Sequence, residues 1–253
     1  MRTFGLIGFP LSHSFSQKYF TEKFKREHIT DCEFENFSIE NISDFSDLIK
    51  SNSTIFGLSV TIPHKQSVMK FLDALDSKAW QVGAVNCIKV SENNGNKGYL
   101  TGFNTDVFGF EKSLIPLLKS HHTHALILGT GGASKAVAYI LDESKIKFSY
   151  VSRLMNPNKL SPKTISYSDL NAQIISESSL IINATPLGMF PDISSCPDIP
   201  YELLTSKHLL YDLNYNPEET LFLKKGKAKG AKIKNGLEML HLQAEEAWKI
   251  WNS

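Results

Sequence analysis

Lys65, Asn86 and Asp106, with the glycine-rich run Gly129-Thr130-Gly131-Gly132-Ala133-Ser134, are the residues of this 253-residue chain whose types and spacing could do chemistry. The glycine run follows the apolar stretch Ala125-Leu126-Ile127-Leu128 and leads into Ala133 to Leu141, rich in helix formers. Glycines between a strand and a helix N-terminus let backbone approach a phosphate closely, with unpaired N–H groups and the helix dipole aimed at it. Ser134 stands where G-x-G-x-x-G has its third glycine, so the pattern alone fits a ligand-free turn equally well. A second strand, Lys147 to Val151, ends in Ser152-Arg153, where NAD sites usually place an acidic residue for the ribose hydroxyls. A guanidinium there can instead bind a 2′-phosphate bidentately and stack on adenine, which points to NADP(H).

These residues need elements to position them. Thr3 to Gly8 reads as a strand running into Phe9-Pro10-Leu11-Ser12-His13-Ser14-Phe15-Ser16, a loop with more hydroxyls than one helix cap requires, followed by a helix from Gln17 to Glu27. Cys32 to Phe37 reads as a strand, Ile42 to Ser51 as a helix, and Ile55 to Thr61 as a buried strand ending in Ile62-Pro63-His64-Lys65. Gln66 to Leu72 then reads as helical. Ala84 to Val90 reads as a strand returning through an Asn93-Asn94-Gly95-Asn96 turn, and Asp106 as the N-cap of a helix from Val107 to Leu118. A strand-end lysine is ordinarily a solvated charge. Lys65, Asn86 and Asp106 meet only if their strands are neighbours.

The second half continues the alternation. Ser168 to Ser178 reads as helical, Leu180 to Asn183 as a strand ending in Ala184-Thr185-Pro186-Leu187-Gly188-Met189, and His208 to Leu213 as another strand. Lys224 to Lys234 reads as a solvated basic run, and Gly236 to Trp251 as an amphipathic helix whose apolar stripe has the polar Gln243 beside it. The expected fold is α/β: two α/β domains with a cleft between them.

Composition is that of a globular chain, 42% hydrophobic and 21% charged, and a net charge of +1 gives no case for nucleic acid or a membrane surface. No apolar run approaches the ~20 residues of a spanning helix, and the N-terminus lacks a signal peptide's regions, so a cytoplasmic location is expected. Cys32, Cys87 and Cys196 have no metal or redox spacing and read as reduced thiols. His121, His122 and His124 read as a solvated loop, and no metal site is expected.

Seven runs together resemble the shikimate dehydrogenase family along nearly the whole chain. They are Gly8 to Ser16, Ser59-Val60-Thr61-Ile62-Pro63-His64-Lys65, Gly83-Ala84-Val85-Asn86, Gly102-Phe103-Asn104-Thr105-Asp106, Gly129 to Ser134, Asn183 to Met189, and Asn235-Gly236-Leu237-Glu238-Met239-Leu240 through Gln243. The resemblance implies reversible NADPH-dependent reduction of 3-dehydroshikimate to shikimate, on the way to aromatic amino acids. It also implies an N-terminal substrate-binding domain at 1–105 completed by the helix at 236–253, and a Rossmann-like NADP-binding domain at 106–235. By similarity Ser14, Ser16, Thr61, Lys65, Asn86, Asp106, Tyr215 and Gln243 would hold the substrate, and Lys65 and Asp106 would be catalytic. Gly129, Thr130, Gly131, Gly132, Ala133, Ser134, Ser152, Arg153, Asn183, Thr185, Leu213 and Gly236 would hold the cofactor. Oligomeric state is unread, a homodimer being one assembly to test.

The chemistry suits these residue types. Hydride delivery to a ketone builds negative charge on its oxygen, which a lysine can stabilise or protonate, while an aspartate beside it orients the ammonium and binds a substrate hydroxyl. Four positions depart from the family's usual pattern: Phe9, Gln17, His64, and Leu154 in place of a frequent threonine after Arg153. The nearest alternative, an NAD-dependent quinate/shikimate dehydrogenase, calls for an acidic residue near Ser152. A non-catalytic relative would lack Lys65 or Asp106. Another oxidoreductase, such as a methylenetetrahydrofolate dehydrogenase, would not need the serine loop.

Overall fold

The structure, a computed structural model, describes residues 1–11, 15–93, 96–153 and 164–253. Ser12, His13, Ser14, Asn94, Gly95 and Leu154, to which the sequence assigns roles, lie outside the described residues. The chain divides into two compact units, Met1–Phe108 with Gln243–Ser253, and Gly109–Leu242.

The first unit contains β1 (Arg2–Gly8), α1 (Phe15–Arg26), β2 (Cys32–Ser38), α2 (Phe45–Ser51), β3 (Ile55–Val60), β4 (Ala74–Leu75), α3 (Ser77–Val82), β5 (Cys87–Asn93), β6 (Asn96–Phe103) and the first residues of α4 (Thr105–Leu114). Its six-stranded sheet has the order β2-β1-β3-β5-β6-β4. β1 is parallel to β2 and β3, whereas β5 runs antiparallel to both β3 and β6. The start of β5 therefore lies at the same sheet edge as the ends of β3 and β6. This is the neighbour relation that Lys65, Asn86 and Asp106 require.

Alternation along the strands gives the sheet two apolar faces. One packs Phe4, Phe20, Phe24, Phe34, Ala244, Ala247 and Trp251 together, and the other Ile7, Phe45, Leu58, Val60, Val68, Val85 and Ile88. Trp251 stacks on Phe4 at 5.1 Å and donates its indole N–H to the Ile88 carbonyl at 3.0 Å. A Cβ on Gly57 would sit 2.3 Å from that indole, so only glycine admits the ring there.

The second unit continues with β7 (His124–Leu128), α5 (Gly132–Glu143), β8 (Lys147–Val151), β9 (Thr164–Ile165), α6 (Ala172–Glu177), β10 (Leu180–Asn183), β11 (Leu209–Asp212), α7 (Leu221–Ala228), β12 (Lys232–Lys234) and the start of α8 (Leu237–Trp251). The sheet order is β12-β11-β10-β7-β8-β9, with every pairing parallel. This is the doubly wound, Rossmann-like order, whose direction of winding reverses between β7 and β10; ligands bind outside strand ends at such a reversal. The glycine turn follows β7, and the Asn183 to Met189 run follows β10.

Several local expectations are corrected. The basic run Lys224 to Lys234, whose lysines are exposed except for the half-buried Lys234, also carries structure, forming most of α7 and all of β12, with Phe222, Leu223 and Ala231 buried beside it. His122 is buried rather than solvated, with Nδ1 accepting the Lys119 N–H at 2.9 Å. The stretch Gln66 to Leu72 supports only a 3₁₀ segment, Ser67–Phe71. Asn104, not Asp106, caps α4, its Oδ1 accepting the Val107 N–H at 3.2 Å. Among the described residues, no helix is long and apolar enough to cross a membrane.

Candidate functional site

The segment after β3 is laced to its neighbours before Lys65 extends from it. The Thr61 N–H donates to Ile7 O at 2.9 Å, the His64 N–H to Thr61 O at 2.9 Å, and the Val85 N–H to Lys65 O at 2.7 Å. The buried His64 ring places Nε2 2.7 Å from Ile39 O. The imidazole thus serves as a pin between this segment and the end of β2.

Lys65 Nζ lies 2.6 Å from Asp106 Oδ2, and the two side chains are only 16% and 8% exposed. The other carboxylate oxygen, Oδ1, accepts from Asn86 Nδ2 at 2.9 Å. Asn86 is fixed in turn: its Oδ1 accepts the Thr105 N–H at 2.6 Å, and its Nδ2 lies 3.0 Å from Thr105 Oγ1 and 3.3 Å from Gln243 Oε1. With Asn104 as the cap, Asp106 falls inside the first turn of α4 with its carboxylate available to this cluster.

The structure thus joins Lys65, Asn86, Asp106 and Gln243 in one hydrogen-bonded group, and adds Thr105, which the sequence reading quoted inside a motif without giving it a role. The polar residue on the apolar helix is explained by this placement. Thr61 is half-buried and Ser16 buried in the same unit. Helices α1 and α8, which carry Ser16 and Gln243, are tied by Lys23, 4% exposed, which pairs with Glu27 at 3.0 Å and Glu245 at 2.9 Å. Tyr19 also donates to Glu245. Ser14 lies outside the described residues. Tyr215 belongs to the second unit, where burial raises the pKa of its phenol.

In the second unit, Gly129 has φ +101°, a left-handed conformation, and a Cβ there would meet Thr185 Cγ2 at 2.9 Å. Gly131 is the N-cap of α5 and supplies no side-chain cap; a Cβ built on it meets nothing within 4 Å. Uncapped N–H groups beneath open space fit a dinucleotide phosphate. Thr130 and Gly132 flank this cap, and Ala133 lies in the first turn of α5. Ser134 is buried, and its hydroxyl donates to Gly131 O at 2.6 Å, closing the turn where a third glycine would otherwise stand. Ser152 and Arg153 follow β8 directly, Ser152 half-buried and Arg153 exposed, and the Gly129 N–H donates to Val151 O at 2.9 Å beside them.

Asn183 is fully buried at the end of β10. Its Oδ1 accepts from Thr185 N at 3.0 Å and Thr185 Oγ1 at 2.6 Å, and its Nδ2 donates to Asp212 Oδ1 at 3.0 Å. Leu213 N donates to Asn183 O at 2.9 Å. A Cβ on Gly236 would fall 2.1 Å from Leu213 O, so glycine is required where these backbones pass. Asp212 and its partners were missed by the sequence reading.

Comparison with known proteins adds three findings. The family model described as the shikimate dehydrogenase substrate binding domain matches residues 6–88. An NADP(+) shikimate dehydrogenase of Desulforamulus reducens is 37% identical, over 98% of this chain and 88% of its own. Two solved structures are similar: shikimate dehydrogenase 1 of Peptoclostridium difficile, with TM-score 0.85, 36% identity and coverage of 100% of this chain and 92% of that one, and the Thermus thermophilus shikimate 5-dehydrogenase in complex with NADP(H) and shikimate, with TM-score 0.83, 29% identity and coverage of 99% and 93%.

Proposed function

The chain belongs to the shikimate dehydrogenase family, and from that membership we propose that it catalyses the reversible NADPH-dependent reduction of 3-dehydroshikimate to shikimate in aromatic amino-acid biosynthesis. The observation that carries this reading is the enclosed pair of Lys65 Nζ and Asp106 Oδ2 at 2.6 Å, with Asn86 on the other carboxylate oxygen.

NADPH, when bound, supplies the hydride. Reduction turns a carbonyl oxygen into an alkoxide, and the Lys65 ammonium donates a hydrogen bond and then a proton to that oxygen. Asp106 orients the ammonium, and its carboxylate retains lone pairs to accept a substrate hydroxyl. Asn86 and Gln243 offer amides to the ring hydroxyls, while Thr61, Ser14, Ser16 and Tyr215 supply neutral hydroxyls for the remaining polar groups, including the carboxylate. The cofactor phosphates would lie on Gly129 to Ser134, and the 2′-phosphate on Ser152 and Arg153. Asn183, Thr185, Leu213 and Gly236 would line the remainder of that site. The same reading gives 1–105 with 236–253 as the substrate-binding part and 106–235 as the NADP-binding part. The proposal includes a cytoplasmic location, small-molecule partners and a homodimer as the assembly to test.

The test is an assay at the reduced-nicotinamide absorbance band with shikimate, and separately quinate, against NADP+ and NAD+. Shikimate with NADP+ should give the largest rate. No NADP+ reduction with shikimate overturns the activity, and a preference for NAD+ overturns the role of Arg153.

A further inference from the structure

Asp212 is fully buried at the end of β11, yet no step of the proposed reaction uses its carboxylate. Three donors converge on it. Oδ1 accepts from Asn183 Nδ2 at 3.0 Å and from the Asn214 N–H at 3.0 Å, and Oδ2 accepts from Thr220 Oγ1 at 2.5 Å. Asn214 Nδ2 in turn reaches Thr185 O at 3.0 Å and Leu187 O at 3.2 Å.

An ionised carboxylate only accepts hydrogen bonds, so it decides which way the Asn183 amide faces. With its NH₂ toward Asp212, Asn183 must turn its carbonyl toward Thr185, where it receives both the backbone N–H and the hydroxyl. The reversed amide would set a carbonyl against the carboxylate and an NH₂ against the Thr185 N–H. The direction of the Thr185 hydroxyl is thereby set two bonds away from the charge. Thr185 Cγ2 also lies 2.9 Å from where a Gly129 Cβ would be, so the oriented residue packs directly on the glycine turn. Burial pushes the Asp212 pKa up to about 6, which leaves it ionised at neutral pH.

We propose that Asp212 is a positioning residue for the dinucleotide, acting through Asn183 to fix the polarity and place of Thr185 against the Gly129 turn. This rests on the reading of the second unit as the NADP site, so the test separates the two. NADP+ and shikimate are titrated separately into the full-length protein, as wild type, Asp212→Asn, Thr185→Val and the double variant, with thermal melts to establish folding. Expected are NADP+ binding weakened about tenfold or more by Asp212→Asn, shikimate binding within twofold of wild type, and a double variant no weaker than the weaker single.

If Asp212→Asn does not fold, Asn183→Ala replaces it in the same cycle, with the same non-additivity expected. Additive losses of NADP+ affinity, or an Asp212→Asn variant that binds NADP+ as wild type does, overturn the positioning role alone. A wild type that fails to bind NADP+ overturns the cofactor reading and the positioning role with it.

Discussion

Asn86 Nδ2 and Asp106 Oδ1 are 2.9 Å apart, on the side of the carboxylate opposite the one that Lys65 occupies. Each Asp106 oxygen thus has its own donor, one neutral and one cationic, and the aspartate cannot rotate without losing both. The rigidity belongs to the sheet edge, because the three residues come from the ends of β3 and β6 and the start of β5.

Replacing Lys65 tests the catalytic end of this relationship. Lys65→Ala is expected to lower kcat by about 10²- to 10⁴-fold, with a smaller change in the KM for shikimate. Steady-state kinetics in the shikimate-oxidising direction checks this, and near-normal turnover would remove Lys65 from the chemistry.

Arg153 is exposed and follows β8, where it is free to meet a 2′-phosphate without disturbing the core. Arg153→Ala should weaken NADP+ by roughly 10- to 100-fold and leave NAD+ nearly unchanged. The ratio of kcat/KM for the two cofactors is the readout; an equal loss for both would mean that the guanidinium does not read the 2′-phosphate.

The Asp212 carboxyl also makes stability depend on pH. Its folded pKa is about 6 against an ordinary 3.8, so between these values the native state binds a proton that the unfolded chain has released. Its direct partners, Asn183, Asn214 and Thr220, are neutral, and the half-buried Tyr201 phenol is a titratable neighbour that feels its charge. Stability from this group is fully present below pH 4 and falls as pH rises through about 6, by about 3 kcal/mol in all. The stability of wild type minus that of Asp212→Asn, measured by denaturant unfolding from pH 4 to 7, should decline along that window. A flat difference contradicts the buried charge.

Gly236→Ala is expected to cost about 1–3 kcal/mol, because its Cβ would press on the Leu213 backbone rather than on a movable side chain. A thermal melt should shift down by several degrees, and the KM for NADP+ should rise if Leu213 lines that site. A wild-type melting temperature would show that the backbones can part freely.

The residues that the sequence singled out stand at recognisable places in the local pattern, although the pattern left their roles open and the family resemblance supplied them. Gly129 and Gly131 sit between an apolar strand and a helix, Lys65 just past a strand, and Gln243 beside an apolar stripe. Asp212 gave no comparable signal. A strand ending in Tyr211-Asp212-Leu213 resembles many others, and what buries its carboxylate comes from Asn183, 29 positions away, and from Thr220 at the start of α7. The choice of Asn104 over Asp106 as the cap was equally hidden, since either residue type caps well and only the pull of Asn86 and Lys65 on Asp106 separates them.

Trp251 carries a consequence of a different kind. The indole fills the space over Gly57 and bonds to Ile88, so the aromatic face of the first sheet is finished by a residue that follows every strand of the second sheet in the chain. During synthesis the second sheet can close while the first still lacks part of its core. Until α8 is made, the face formed by Phe4, Phe20, Phe24 and Phe34 stays bare, and apolar surface exposed in this way during synthesis is prone to aggregation.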